Sequence, residues 1–190
     1  MQFPTLLILS SLFSITSFTT INAAPLTSRA VRDSTDDATT LAAINQLLAL
    51  FSQSLDNKDF EALRDVYTED AVLGGEGSPP TVGIEAILDF YTTTFQNESL
   101  ITEHTSDTVL GSNFTETTAS STSYANVYYF GPAVFERGGV LFRNDSVQFR
   151  EKLSNDYTRG ADGNWKISRQ DLTILSLEGN AGLLRPAPGS

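Results

Sequence analysis

The chain contains no cysteine and only one histidine, His104, among its 190 residues. Without cysteine the folded state has no disulfide and depends on a hydrophobic core, which a chain of this length can form. Zinc and copper sites are built mainly from cysteine and histidine ligands. The composition therefore argues against such a site, and the sequence predicts neither a metal nor another cofactor.

Basic residues are also scarce, with 12 Lys and Arg against 23 Asp and Glu and a net charge of −11. Nucleic acid binding needs clustered positive charge, and the basic residues here are scattered along the chain. Nucleic acid is therefore excluded as a predicted partner, and we interpret the negative charge as a solubility feature.

No hydrophobic run reaches the roughly 20 residues that span a bilayer. A short apolar stretch over residues 6–13 is followed by a polar Ser/Thr segment and by the small-residue pattern Ile21-Asn22-Ala23. This order is typical of a secretory signal peptide, although no Lys or Arg precedes the apolar stretch. We predict a signal peptide over residues 1–23 and a secreted, extracellular protein with no membrane attachment in its mature form.

Three Asn-x-Ser/Thr sequons, which accept N-linked glycans in secreted proteins, agree with this prediction. They begin at Asn97, Asn113 and Asn144. The first falls at a predicted helix end, the second in a predicted hairpin turn and the third at a strand start. Such triplets also arise by chance, so each is weak evidence on its own. Asn113 is the strongest candidate, because a turn leaves room for a glycan.

After an unpatterned, flexible lead-in over residues 24–37, apolar residues recur at helical spacing. Asp36 or Asp37 is the expected cap of a first helix, and Asp59 is the expected cap of a second. The first stripe consists of Leu41, Ile44, Leu47, Leu48, Phe51 and Leu55. The second contains Phe60, Leu63 and Tyr67, and a third helix has Ile84, Ile87, Leu88, Tyr91 and Phe95 on one face.

After Ser99 the apolar period changes to two, and runs rich in Thr, Val, Tyr, Phe and Ile predict long strands. The strands are predicted over residues 100–110, 117–130, 140–157 and 165–177. In the last of them the apolar parity changes, which a β-bulge near residues 169–171 would explain. Three helices followed by a meander of strands are typical of an α+β domain, here over residues 38–177, with a flexible tail over 178–190.

The run from Ser54 to Val72 ends one helix, starts another and leads into a strand, and a third helix begins near Val82. This order resembles the SnoaL-like branch of the NTF2-like superfamily. The resemblance implies three N-terminal helices packed on a strongly curved antiparallel sheet, which together form a cone around a pocket. The superfamily contains dehydratases, isomerases, cyclases and many non-enzymes, so the resemblance implies a pocket without naming its ligand.

The position of His104, in the strand after the third helix, resembles that of the catalytic histidine in scytalone dehydratase-like members. Asp56 falls where those enzymes carry the aspartate that orients this histidine. The resemblance therefore implies that Asp56 accepts from one ring nitrogen and leaves the other for proton transfer. The second histidine and the tyrosines of those enzymes have no counterpart, since Leu55, Val127 or Tyr128, and Gly74-Gly75 occupy the corresponding regions.

These residues also have purely structural interpretations. An aspartate between two helices often caps the second one, and a lone strand histidine is often a core or surface residue. The aromatic-rich strand over residues 117–130 suits either a pocket wall or ordinary packing. We predict that the ligand pocket is lined by Tyr67, Tyr91, Tyr124 and Tyr128.

Two functions from different classes agree with the sequence. The first is a cofactor-independent lyase or isomerase, of dehydratase or cyclase type, that acts on a small, largely apolar molecule, either carbonyl-bearing or aromatic. The second is a non-catalytic module that binds a hydrophobic ligand or self-associates through the outer sheet face, for example as a homodimer. The retained Asp–His pair favours the first function. The missing second histidine and tyrosines favour the second.

Overall fold

A computed structural model describes residues 34–75, 77–95, 101–132, 135–137, 140–142 and 145–184. The predicted signal peptide lies outside these residues, as do the sequons at Asn97 and Asn144 and the last part of the predicted tail. The element bounds in the described part are α1 (Ser34–Asp56), β1 (Tyr67–Gly75), β2 (Ser78–Val82), α2 (Ile84–Phe95), β3 (Ile101–Ser112), β4 (Thr118–Phe130), β5 (Phe135–Arg137), β6 (Val140–Phe142), β7 (Ser146–Arg159) and β8 (Trp165–Gly179). Short 3-10 helices occupy Phe60–Asp65 and Ala181–Leu184.

The second of the three predicted helices is the 3-10 helix Phe60–Asp65, so the prediction of three N-terminal α-helices is not confirmed. The chain turns out of α1 at Lys58, whose φ is 57°, and β1 begins at Tyr67. Only about two turns of helix fit in between, and Asp59 occupies the cap position without making a side-chain cap hydrogen bond. The segment is therefore too short and too weakly capped for an α-helix.

The main sheet has six strands in the order β2-β1-β8-β7-β4-β3, and β5 and β6 form a separate pair. The strands β1 and β8 are parallel, with Leu73 opposite Gln170, while the other neighbours are antiparallel. The sheet is therefore curved but mixed, which corrects the antiparallel prediction. The reason is topological: β1, near the N-terminal side of the chain, pairs with the last strand, and no hairpin connects the two.

The hydrophobic core lies between the helices and one face of the sheet, which we call the inner face. In β4 the inner positions alternate along the strand from Ala119 to Tyr129, as the period of two requires. Buried residues come from both apolar helix stripes and from the inner face. Six residues of the predicted helix stripes are buried, Leu47, Phe51, Leu63, Ile87, Leu88 and Tyr91, and so is Trp165 at the start of β8.

The last strand has a bulge at Ser168, one residue before the predicted range 169–171, and a second bulge at Leu175. Asp156 and Tyr157 of β7 are adjacent, but their partners in β8 are Arg169 and Ile167, so one residue of β8 is left over. This extra residue shifts the parity of the strand. As a result Ile167 and Gln170 are both buried, although they are three residues apart.

Candidate functional site

Packing of α1 against the edge of the sheet brings Asp56 and His104 together. The distance from His104 Nδ1 to Asp56 Oδ1 is 2.6 Å. The Thr102 hydroxyl donates to the same oxygen at 3.1 Å, and the backbone N–H of His104 donates to Asp56 Oδ2 at 3.1 Å. Asp56 thus accepts from both the backbone N–H and the imidazole of His104 in β3. The cap position of the following 3-10 helix is occupied by Asp59.

The local structure explains why this carboxylate reaches the strand. β3 is at the edge of the sheet, so the N–H groups on its free side have no partner strand. The turn at Lys58 ends α1 and leaves Asp56 as its last residue. Its side chain accepts one of the free N–H groups, because a buried backbone donor without a partner is costly.

Hydrogen bonding to Asp56 determines which ring nitrogen of His104 carries a proton. A carboxylate only accepts, so Nδ1 carries the proton in the neutral imidazole. Nε2 then holds a lone pair, and it makes no hydrogen bond with the described residues. The side chains of His104 and Asp56 are 8% and 27% exposed. The pair is therefore mostly buried, and Nε2 is left without a hydrogen-bond partner among the described residues.

Aromatic rings and a cavity surround the imidazole. Phe95 of α2 and Tyr129 of β4 approach the ring edgewise, with centroid distances of 6.2 and 6.4 Å. A cavity of about 420 Å³ lies beside His104 between α1 and β3. A volume of this size suits a small ligand. The residues of α1 and β3 that line it include Leu48, Ala49, Ser52, Ser106 and Val109.

Glu151 of β7 is a carboxylate on the inner face that the sequence analysis missed. It pairs with Ala125 of β4, and His104 pairs with Val127 two residues further along β4. Cross-strand partners share a face of the sheet, and both Ala125 and Val127 are buried on the inner one. Burial raises the pKa of Glu151, and the charge of His104 opposes that shift. Glu151 makes no hydrogen bond or ion pair with the described residues.

Two of the predicted pocket tyrosines, Tyr67 and Tyr91, lie in the core with their hydroxyls engaged. Tyr67 donates to Gln170 Oε1 at 2.6 Å, and Tyr91 donates to the same oxygen at 3.3 Å. Burial raises the pKa of both tyrosines far above the ordinary value, which keeps both hydroxyls neutral. Tyr91 also stacks on Phe95, so it supports the wall of the site through that ring.

Several buried polar atoms on the inner face have no hydrogen-bond partner. They are Ser123 Oγ, Gln170 Nε2 and both side-chain polar atoms of Asn155. The Asn155 amide lies beside the Tyr157 hydroxyl without hydrogen-bond geometry, and burial raises the pKa of Tyr157 to about 12. An unpaired buried polar group costs about 1–3 kcal/mol. A buried water molecule is what usually pairs with such atoms in a folded protein.

Tyr124 and Tyr128, the other two predicted pocket tyrosines, lie on the opposite face of the sheet. The alternation of β4 directs Val127 and Tyr129 inward and the residues between them outward. Tyr128 stacks on Phe130, another outward residue, at 6.0 Å. The expectation that these two tyrosines share a pocket with His104 is therefore wrong, and Tyr129 is the β4 tyrosine beside the imidazole.

The remaining candidates lie away from this site. Asn113 is exposed in the connection between β3 and β4 and has φ 51°, and its glycosylation stays a prediction. Across the described ranges, no three His, Asp or Glu side chains are grouped to hold a metal ion. Neither α1 nor α2 is both long and apolar enough to cross a membrane, and the rest of the described chain has no such helix.

Comparison with known sequences gives a match to the SnoaL-like domain family over residues 36–171, which confirms the resemblance inferred from the sequence. No curated protein matches the chain. The family match covers both α-helices and the sheet as far as Asp171 in β8.

Solved structures of the same fold align with most of the chain. A provisionally named aromatic ring hydroxylase from Novosphingobium aromaticivorans is 27% identical over 76% of this chain and 95% of its own, with a TM-score of 0.61. A hexachlorocyclohexane dehydrochlorinase of type 2 is 20% identical over 83% of this chain and 99% of its own, with a TM-score of 0.64. A provisionally named scytalone dehydratase, also from Novosphingobium aromaticivorans, is 16% identical over 83% and 98%, with a TM-score of 0.65. At these identities the last two show a shared fold alone.

Proposed function

We propose that this chain, which belongs to the SnoaL-like domain family, binds a small apolar or aromatic carbonyl compound and moves a proton on it without a cofactor. His104 is the base, and Asp56 positions its ring. The observation that carries the proposal is the 2.6 Å contact from Asp56 to His104 Nδ1, together with an Nε2 atom that has no partner in the described residues.

The chemistry follows from the charges of the pair. Nε2 of neutral His104 takes a proton from a carbon next to a carbonyl group, and the ring becomes an imidazolium ion. The electron pair of the broken C–H bond stays on the substrate as an enolate, with its negative charge on the carbonyl oxygen. The carboxylate of Asp56 stabilises that ion at a distance of 2.6 Å. A positioned general base of this kind contributes about 100-fold to 10,000-fold in rate.

The names of two structural neighbours support proton removal as the reaction class. A dehydrochlorinase and a dehydratase both remove a hydrogen and a leaving group from their substrates. The aromatic surroundings of His104 support an apolar or aromatic ligand, because Phe95 and Tyr129 pack edgewise against the imidazole.

Exchange of an acidic C–H with solvent deuterium tests the proposal directly. The probe is 4-phenylbutan-2-one, an aromatic ketone without a leaving group, followed by proton NMR in D₂O. We expect the wild type to accelerate exchange next to the carbonyl and His104→Ala to lower that rate about 100-fold or more. Thr105→Ala, an exposed neighbour on the same strand, is the control and should match the wild type. Equal exchange by the wild type and His104→Ala would contradict the proposal.

The alternative function, a binding or self-association module, is favoured by one feature of β8. β1 pairs with this strand only as far as Leu172, so the rest of β8 has a free edge. Three large apolar residues there are about half exposed: Ile174, Leu175 and Leu177. Sedimentation of the wild type and of Leu175→Lys separates the two functions. The self-association function is favoured if the wild type is a dimer, Leu175→Lys is a monomer and the wild type catalyses no C–H exchange.

A further inference from the structure

The cavity beside His104 is part of a groove that runs between α1 and β3. At one end of the groove Asp56 contacts His104, and at the other end a Cβ placed on Gly111 would lie 3.1 Å from Leu41 Cδ1. The helix and the strand are therefore antiparallel. About 22 Å of helix and about 23 Å of strand separate the two contacts, so the elements stay side by side along the groove.

The two elements that form the groove carry fixed charge of one sign. Neither α1 nor β3 contains a Lys or Arg. Together they contain five acidic residues, which are Asp36, Asp37, Asp56, Glu103 and Asp107. Charges of one sign along a cleft attract ions of the opposite sign and repel ions of the same sign. The groove therefore favours a cationic ligand over an anionic one.

Asp107 is the acidic residue among those that line the cavity, and a bulge accounts for its position. Ser106 and Thr108 pair with adjacent residues of β4, so Asp107 is the extra residue of β3. Ser106 and Asp107 both line the cavity, whereas consecutive side chains of a regular strand lie on opposite faces. The bulge thus brings a carboxylate to the border of the cavity.

One oxygen of this carboxylate is engaged and the other is not. Oδ2 of Asp107 accepts from Asn126 Nδ2 at 2.8 Å and lies 3.8 Å from Arg150 Nη2. Oδ1 has no hydrogen-bond partner in the described part of the chain. The side chains of Arg150 and Asp107 are 51% and 42% exposed, and an exposed ion pair of this length contributes little. Asp107 therefore keeps an oxygen and most of its charge for a ligand.

His104 is the second feature of the cavity that points to a ligand. Its side chain is only 8% exposed and lines the cavity, and Nε2 has no hydrogen-bond partner among the described residues. Three residues of β3 lead from His104 to Asp107, a distance of about 10 Å along the strand. Leu48 and Ala49 of α1 line the same cavity. A ligand that reaches both polar groups therefore has a polar group at each end and an apolar part between them.

We propose that Asp107 binds an ammonium group of the substrate, and that the substrates are apolar or aromatic carbonyl compounds with a protonated amino group at the end remote from the carbonyl. This inference rests on the proposed function, because His104 is the group that meets the carbonyl end. It adds a specificity-determining residue and a positive charge on the substrate to that function.

Three aromatic ketones of similar shape test the role of charge. They are 4-phenylbutan-2-ones with an aminomethyl, a hydroxymethyl or a carboxyl group in the para position, which are a cation, a neutral molecule and an anion at pH 7. Deuterium exchange next to the carbonyl, followed by proton NMR in D₂O, gives kcat and KM for each probe. Saturation-transfer NMR gives the Kd of each probe independently of any reaction.

We expect the wild type to bind the amine about fivefold more tightly than the alcohol, which is the upper range for an ion pair at a partly exposed carboxylate. The difference should appear in Kd and KM rather than in kcat, because Asp107 contacts the substrate away from the reacting carbon. The carboxylic acid should bind most weakly. Sodium chloride at about 0.5 M should remove most of the preference, since exposed ion pairs are screened by salt.

Substitutions of Asp107 assign the preference to one side chain. In Asp107→Asn the Kd values of the amine and the alcohol should agree within about twofold, because the charge is gone while an oxygen still accepts from Asn126. Asp107→Glu, which keeps the charge, should keep part of the preference. Asp89→Asn is the matched control, since it removes the same charge from an exposed position of α2 outside the cavity lining. It should show the preference of the wild type.

The outcomes separate this inference from the proposed function. Equal affinity of the wild type for the amine and the alcohol overturns the inference, and so does a preference that persists in Asp107→Asn or disappears in Asp89→Asn. Preferential binding of the amine without exchange of any probe overturns the proposed function and leaves the cation site in place. If no probe binds, both are overturned. A melting curve checks the fold of Asp107→Asn, and the order of the three probes in the wild type tests the inference even if that variant does not fold.

Discussion

The junction between α1 and β3 depends on one carboxylate, and Asp56→Asn tests it. Asp56 accepts three hydrogen bonds, from the Thr102 hydroxyl, the His104 backbone N–H and the His104 ring. In asparagine one of the two oxygens becomes an NH₂ group, which donates. In either orientation of the amide, at least one of the three donors then faces another donor.

The cost of this change follows from the hydrogen bonds that are lost. A hydrogen bond to a charged group contributes about 1.5–3 kcal/mol, and an unpaired buried donor costs about 1–3 kcal/mol. The Asp56 side chain is 27% exposed, so water replaces part of what is lost. We therefore expect Asp56→Asn to lower the free energy of unfolding by about 1–2 kcal/mol. Asp56→Ala removes all three acceptor contacts and should cost about 2–4 kcal/mol.

Urea unfolding followed by fluorescence measures these losses. Trp165 is the only tryptophan and is buried, so its emission reports on the core. Asp59→Asn is the control, because Asp59 is exposed and makes no cap hydrogen bond. It should change the stability by less than about 0.5 kcal/mol. If Asp56→Asn costs no more than this control, the carboxylate does not hold the helix end on β3, and its proposed effect on His104 loses its structural basis.

Leu88 is 6% exposed on the buried face of α2. Leu88→Ala should therefore lower the free energy of unfolding by about 2–5 kcal/mol in the same urea assay. A decrease below about 0.5 kcal/mol would show that α2 is not docked on the sheet. Because burial raises the folded-state pKa of Glu151, the folded chain holds that proton more tightly than the unfolded chain, and stability falls as pH rises above the ordinary value of 4.5. The melting temperature of Glu151→Gln relative to the wild type should therefore increase between about pH 4 and pH 7, and a constant difference would contradict the buried position of the carboxyl. Expression in a secreting host should yield a chain that begins at Ala24, with a glycan mass that Asn113→Gln reduces, and an intact Met1 without any glycan would refute the secretion proposal.

The apolar patterns of the helices were sufficient to predict which faces are buried. All five residues of the predicted α2 face are buried, and so are five of the six residues of the predicted α1 stripe: Ile44, Leu47, Leu48, Phe51 and Leu55. The same patterns did not reveal that β1 lies parallel to β8. Parallel pairing of strands about 100 residues apart leaves no local signal, because no turn or hairpin connects them.

The sequence was less informative about the site, because it did not show which side chains of β4 and β7 lie on the inner face of the sheet. Asp56 and His104 were found through the resemblance, which fixes their places in two elements. Glu151 was missed, although Val147, Phe149 and Leu153 occupy the same alternate positions of β7 and mark that side as buried. A carboxylate among them is the signal for an inward acid. In β4 both faces carry aromatic residues, so composition alone did not separate Tyr128 from Tyr129.

The position of β8 in the sheet also determines at which point of synthesis the sheet and the core can form. This strand is the only neighbour that the β2–β1 pair shares with the β7, β4 and β3 group. The hydrogen-bond partner of the Tyr67 hydroxyl is Gln170 of β8, which is 103 residues further along the chain. Contacts with such separation form late, because a long loop must close first. We therefore expect the core to close only after β8 has been synthesised, and for a chain that we predict to be exported this delay favours an unfolded polypeptide during export.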